Sequence, residues 1–190
     1  MKVIFLDVDG VLNSESDYMY HSGPKKGQYG RRGPRVGTYA TGKYRGIDNT
    51  KVKRLARIVR ETGAIIVLVS SWKRCYVHFL EKGRDVFGRY LYNKLAAQGL
   101  TIHSTTYKEE QIRDPLGTYS RYVRGTGIWH WLEDHEGEVE SWVALDDETW
   151  DYLPKQVNNI VFCIDEEKPY GGLLDRQVEE AIKKLNGLDN

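Results

Sequence analysis

The stretch Phe5-Leu6-Asp7-Val8-Asp9-Gly10-Val11-Leu12-Asn13 decides how this chain is read. An almost wholly apolar run that starts at Met1 leads into it. Val3 to Leu6 has the continuous apolar character of a strand covered on both faces, as in a parallel sheet. Gly10 allows a sharp backbone turn just past the strand end. Open α/β sheets bind ligands at that edge, where Asp7 and Asp9 fall. Two carboxylates one residue apart repel each other, and a hard cation such as Mg²⁺ offsets the repulsion. A capping turn would account for Asp-x-Asp-Gly taken alone. A calcium loop would not, because its twelfth position, counted from Asp7, requires a glutamate and holds Tyr18.

Two more apolar runs end in polar residues. Ala64-Ile65-Ile66-Val67-Leu68-Val69 is rich in β-branched residues and ends in Ser70-Ser71-Trp72-Lys73-Arg74. A serine hydroxyl there can donate to a phosphate oxygen without adding negative charge, and backbone amides past the strand can do the same. An ordinary cap is the plain alternative, with Lys73 and Arg74 as a solvated helix start, although both can help hold an anion. Glu140 to Leu145 leads into Asp146-Asp147-Glu148, so a third strand ends in acids. Before it, Ile128, Trp131 and Leu132 recur at helical spacing, with Arg124 at the helix start and Arg121 one turn earlier.

Strand ends carrying Asp-x-Asp-Gly-x-Leu, Ser-Ser and Asp-Asp in this order resemble the first, second and fourth motifs of the haloacid dehalogenase-like (HAD) phosphatases. The chain looks most like a branch of small HAD domains with a Ser-Ser-Trp-Arg type second motif and a Gly-Leu before the last helix, some of them associated with RNA repair. Lys73 stands where that branch usually has its arginine, which leaves its role open. The resemblance implies an α/β fold, Rossmann-like and three-layered, with a central mostly parallel sheet and a small cap-like insert after the first strand. It implies Asp7 as nucleophile and Asp9 as acid and base. It also implies phosphate binding by Ser70, Ser71, Lys73 and Arg124, and Mg²⁺ held by Asp7, the Asp9 backbone carbonyl, Asp146 and Asp147. Asp147 is the preferred direct metal ligand, while Arg124, Arg121 and Lys73 all stand for the third, basic motif. Dehalogenases of the superfamily lack the second aspartate, so phosphomonoester hydrolysis is expected.

Composition agrees with one soluble enzyme domain spanning 1–190: 190 residues at 40% hydrophobic content can bury a single core. No apolar stretch approaches the roughly 20 residues needed to cross a bilayer. Met1-Lys2-Val3 runs straight into a strand rather than a cleavable signal, and Cys75 and Cys163 form neither a disulfide framework nor a zinc spacing. A cytoplasmic location is expected. The five histidines form no convincing ligand pair, and His130 between two tryptophans reads as packed or exposed.

Residues 14–47 differ from the rest. Pro24 to Arg45 contains no acid, and its glycines and prolines argue against a helix. Net charge is only +1, so this basic character is local. Lys25, Lys26, Arg31, Arg32 and Arg35 interleaved with tyrosines suit phosphate contacts plus base stacking, and Trp72 beside the serines is a further stacking candidate. A solvated loop is the plain alternative. The expected substrate is a nucleotide or a phosphorylated nucleic-acid end. A small-metabolite phosphatase and a non-catalytic nucleic-acid-binding module are the alternatives. Further along, Asn49 to Arg60 reads as a helix with Val52, Leu55, Ile58 and Val59 on one face. Val77 to Gln98 reads as a helical region, Leu100 to Ile102 as a strand, Asn159 to Asp165 as another apolar run, and Asp175 to Leu185 as the last helix.

Overall fold

β1 (Lys2–Leu6) lies at the centre of a five-stranded sheet in the computed structural model, which describes residues 1–13, 46–106, 123–164 and 172–188. The others are β2 (Ile65–Leu68), β3 (Ile102–Thr105), β4 (Ser141–Asp146) and β5 (Ile160–Phe162), in the order β3-β2-β1-β4-β5. Every pairing is parallel. The chain starts in the middle, builds outward through β2 and β3, then returns to the other side of β1 for β4 and β5. That reversal places a switch point between β1 and β4, and crevices for ligands open at the carboxyl ends of strands at such points.

Alternation along β1 divides the core into two layers. Ile4 and Leu6 pack on one face with Val52, Leu55, Leu91 and Val178. Val3 and Phe5 pack on the other with Ile128, Trp131 and Tyr152. Both faces are covered, which is why the strand is apolar throughout rather than alternating. Helices α1 (Asn49–Thr62), α2 (Lys73–Lys82), α3 (Val86–Ala96) and α5 (Asp175–Leu185) supply the first layer. On the second layer lies α4 (Val123–Asp134), followed in the chain, beyond β4, by a 3-10 helix at Pro154–Asn159. The Phe5 ring meets Trp131 and Trp142 edge-on, at 5.4 and 5.5 Å between centroids. The expected three-layer α/β fold is therefore present, with the described sheet parallel throughout.

The helix boundaries follow from local chemistry. Asp48 caps α1 by accepting the Thr50 amide at 2.7 Å, and Gly63 closes it with φ of 70°. Val52, Leu55 and Ile58 are buried as their spacing requires, with Val59 half-buried beside them. The expected helical region from Val77 to Gln98 is two helices. Gly83 ends α2 in the left-handed conformation, and the Asp85 carboxylate starts α3 by accepting the Phe87 and Gly88 amides at 2.9 Å each. Leu80, although apolar, is 59% exposed on α2. The third strand also lies later than expected. Leu100 serves the end of α3, giving its amide to the Leu95 carbonyl, so pairing begins at Ile102 and runs to Thr105.

The α2–α3 crossing is close because Gly88 has no side chain. A Cβ built there would sit 2.1 Å from the Cys75 carbonyl oxygen and 2.7 Å from the Phe79 Cβ. Gly88→Ala should push the two helices apart and lower stability by about 1–3 kcal/mol, as overpacking does. A denaturant midpoint equal to that of the parent would show that the pair can part freely.

Candidate active site

The register of β1 against β4 builds the centre of the site. Leu6 pairs with Leu145, and the Asp7 amide donates to the Leu145 carbonyl at 3.0 Å, so Asp7 and Asp146 leave the sheet side by side. Both continue the parity of Phe5 and Ala144, which face the layer occupied by α4. The α4 amino end carries Arg124 into the same space. Its Nη1 donates to Asp7 Oδ2 at 3.0 Å and to Asp146 Oδ2, while Nε lies 3.7 Å from Asp151 Oδ2. Asp151 also accepts the backbone amides of Val123 and Arg124, which caps α4 and fixes where its first turn points. Tyr152 donates to Asp146 Oδ2 at 2.6 Å, and the Glu148 amide donates to Asp146 Oδ1 at 2.9 Å. Asp146 thus has both oxygens engaged by protein donors.

Asp147 takes another course. Its carboxylate lies against Gly10, where a built Cβ would fall 2.0 Å from the Asp147 carboxyl carbon. Gly10 also has φ of 81°, so the turn needs glycine both for its backbone conformation and for this approach. Carboxylate oxygens of Asp7, Asp146 and Asp147 come within 4.8 Å of one another. Asp9 stands outside that cluster. Its Oδ1 accepts from Asn13 Nδ2 at 2.9 Å, and the carboxylate accepts a further hydrogen bond from the Trp72 side chain. The repulsion anticipated between Asp7 and Asp9 is thus concentrated among Asp7, Asp146 and Asp147.

The electrostatics follow from this crowding. Burial pushes the Asp146 carboxyl up, and Asp7 adds to the shift against the opposing pull of Arg124 and Tyr152. Burial, then Asp7 and Glu148, push Asp147 up to about 7. Burial also raises Asp9, against the hydrogen bond from Asn13. Arg124 loses hydration, yet Asp7 and Asp146 outweigh that loss and hold it protonated. Among the described residues, the one guanidinium bonded here does not neutralise three carboxylates, and Asp7 Oδ1 is buried without a hydrogen-bond partner. Hard oxygen donors, excess negative charge and an orphaned carboxylate oxygen suit a divalent cation such as Mg²⁺. In such a site Asp147 has its carboxylate more available than Asp146.

The remaining expected residues separate into distinct positions. Ser70 is buried beside the site and accepts the Trp72 amide at 3.4 Å, while Ser71 is exposed. Lys73, read as part of a solvated helix start, is instead buried at the beginning of α2. Trp72 is a correction: at 5% exposure, with its ring edge-on to Phe87, it has no face to offer a base. Lys25, Lys26, Arg31, Arg32 and Arg35, with the rest of 14–45, lie outside the described residues, as does Arg121. Asn13, Asp151 and Tyr152 were missed. The signal for Asn13 was a polar residue directly after the apolar pair Val11-Leu12 and four residues past Asp9, and it is fully buried.

A family model described as the HAD domain in Swiss Army Knife RNA repair proteins matches residues 3–175. The chain belongs to that family. No curated protein and no solved structure matches it. Membership in this HAD family agrees with the sheet order and with the aspartates at the ends of β1 and β4. Among the described residues no helix is long and apolar enough to cross a membrane.

Stability of this HAD domain should depend on pH in a defined direction. A carboxyl with a raised folded pKa makes the folded state bind more protons than the unfolded one, so folding weakens as pH rises from the ordinary value to the raised one. For Asp147 that interval runs from 3.8 to about 7, and Asp146 acts in the same direction. Metal-free protein should therefore melt at lower temperature at pH 8 than at pH 5, and Mg²⁺ should recover most of the loss at pH 8. A melting temperature at pH 8 that Mg²⁺ leaves in place would argue against a cation among these carboxylates.

Proposed function

We propose that the chain is a Mg²⁺-dependent phosphomonoester hydrolase that works through an aspartyl-phosphate on Asp7. The observation that carries this reading is the single guanidinium of Arg124 shared between Asp7 and Asp146, with Asp147 completing a buried acid cluster. Phosphoryl transfer needs a positioned nucleophile and fixed positive charge around the transferring oxygens. Arg124, held by Asp151 and the α4 cap, supplies one such charge in a planar fork suited to phosphate. Mg²⁺ held by Asp7, Asp147 and, by family resemblance, the Asp9 backbone carbonyl would supply the rest by offsetting charge on the phosphoryl oxygens.

The protein's own groups then divide the work. An Asp7 carboxylate oxygen attacks phosphorus in line, forming the new oxygen–phosphorus bond as the bond to the leaving oxygen breaks. Asp9 gives its proton to that leaving oxygen. In the second half a water attacks phosphorus, Asp9 takes a proton from it, and the Asp7–phosphorus bond breaks to release phosphate. Burial shifts the Asp9 pKa upward, the direction that favours the protonated form the first half requires. Ser70 and the amides after β2 complete the anion cradle in this reading, with Lys73 adding charge from the start of α2.

The proposed substrate is a nucleotide or the phosphorylated end of a nucleic acid. The basic, tyrosine-bearing stretch between Pro24 and Arg45 supports it, as does membership in a family described from RNA repair proteins. Phosphate release with Mg²⁺ should be screened across nucleoside monophosphates, 5′- and 3′-phosphorylated oligonucleotides and sugar phosphates. Preference for a sugar phosphate would identify a metabolite phosphatase. Tight oligonucleotide binding without any release would identify a binding module on this fold.

Asp7→Asn should abolish phosphate release while the protein stays folded, because it removes the nucleophile together with one charge of the crowded cluster. Near-parental turnover in that variant would rule out the covalent route. Replacing Lys25, Lys26, Arg31, Arg32 and Arg35 with neutral residues should raise KM for a phosphorylated oligonucleotide far more than for a small aryl phosphate. The difference should narrow as salt increases, since each lost phosphate contact also removes counterion release. A variant whose kinetics on both substrates match those of the parent at low salt would show that these cations do not meet the substrate.

A further inference from the structure

We propose that Asn13 and Trp72 are positioning residues that aim Asp9 at the leaving oxygen, an inference that rests on the hydrolase reading above. Asn13 is fully buried. Its Oδ1 accepts the Gly10 amide at 3.0 Å and its Nδ2 donates to Asp9 Oδ1 at 2.9 Å. Trp72 reaches the same carboxylate from the end of β2, and its ring is held edge-on by Phe87 at 6.3 Å. Donors from two different strand ends therefore converge on one side chain.

The pattern of donors distinguishes positioning from turn-building. The turn after β1 is closed by the Val11 and Leu12 amides on the Val8 carbonyl and by Asn13 Oδ1 on the Gly10 amide. The Asn13 amide group and the Trp72 side chain are not needed for that turn, and both go to Asp9. Both donors are neutral. Neutral donors of this kind fix the direction of the carboxylate without placing another charge beside it. Asp7, whose charge repels Asp9, would otherwise favour conformations turned away from the reacting centre.

The consequence is specific to proton transfer. An alkyl phosphate needs a proton on its leaving oxygen, while an aryl phosphate with an activated phenol leaves with little help. Misaiming Asp9 should thus separate the two esters, and Asp9→Asn marks the extreme of that separation. The experiment measures Mg²⁺-supported turnover of parent, Asp9→Asn, Asn13→Ala and Trp72→Phe on one alkyl and one nitrophenyl phosphate, with a thermal melt of each. Asn13→Ala and Trp72→Phe should lose at least about tenfold more kcat on the alkyl ester than on the aryl ester, within the range general acid catalysis contributes, with KM little changed. Trp72→Phe keeps an aromatic ring in the core, so it decides the matter if Asn13→Ala does not fold. Even losses on both esters, or no loss in either variant, overturn the positioning role while an active parent leaves the hydrolase reading standing. A parent that releases phosphate from neither ester overturns that reading and the inference with it.

Discussion

Arg124 between Asp7 and Asp146 is the contact on which the site depends. Two carboxylates emerge side by side from adjacent parallel strands because the β1–β4 register leaves them no alternative. Burying that pair would be strongly unfavourable without a cation, since each charge loses its hydration and adds repulsion to the other. Arg124 lies close enough to bond both, and the rest of the surrounding structure serves to keep it there. Asp151 caps α4 and faces the guanidinium. Gln156 accepts the Leu153 amide and donates to the Gly125 carbonyl at 2.9 Å, which brings the loop after β4 onto the first turn of the helix. Gly125 allows that approach, since a built Cβ would lie 2.5 Å from the Leu153 nitrogen.

One loop therefore has two functions. Residues 146–153 carry the acids that crowd the site and also the groups that aim the arginine opposing them. Tyr152 shows the economy of this arrangement. Burial and the neighbouring Asp146 keep its phenol protonated, so it remains a donor to a carboxylate already bonded to Arg124. A satisfied network of this kind holds its members rigidly, which a phosphoryl-transfer centre requires. Asp147 is left on the opposite side, beside Gly10, with its charge uncompensated by Arg124 to the extent Asp146 enjoys.

Much of this was legible from the chain. Continuous apolar runs ending in acids or serines named three strand ends correctly, because a two-face-buried strand has a composition few other elements share. Arg124 was one candidate among several, and only the position of α4 beneath the β1–β4 switch point brings it onto Asp7. Trp72 was misread for the same reason. An aromatic residue after a strand that ends in serines has the composition of a stacking platform, but α3 covers it through Phe87, and no local pattern reports a contact made across fifteen residues of sequence. The break at Gly83 was readable in principle, as a glycine followed by a capping aspartate, yet the apolar spacing on either side continued through it.

The two aspartates of the first motif end in different environments, and that divergence is the most informative physical feature of the site. Asp7 continues the strand and inherits its parity, so it meets ionic partners on the α4 side. Asp9 lies past the strand end, where Gly10 turns the chain and Asn13 folds back onto it, so it meets neutral donors instead. In the proposed hydrolysis a carboxylate fixed by a guanidinium is placed to attack, whereas one held by an amide and an indole past the strand end is placed to exchange a proton. Two identical side chains that flank the point where backbone pairing with β4 ends, at the Asp7 amide, would separate those proposed roles without any difference in residue type. The boundary between sheet and turn just past Asp7 thus gives the two carboxylates different surroundings, which Asp-x-Asp by itself does not specify.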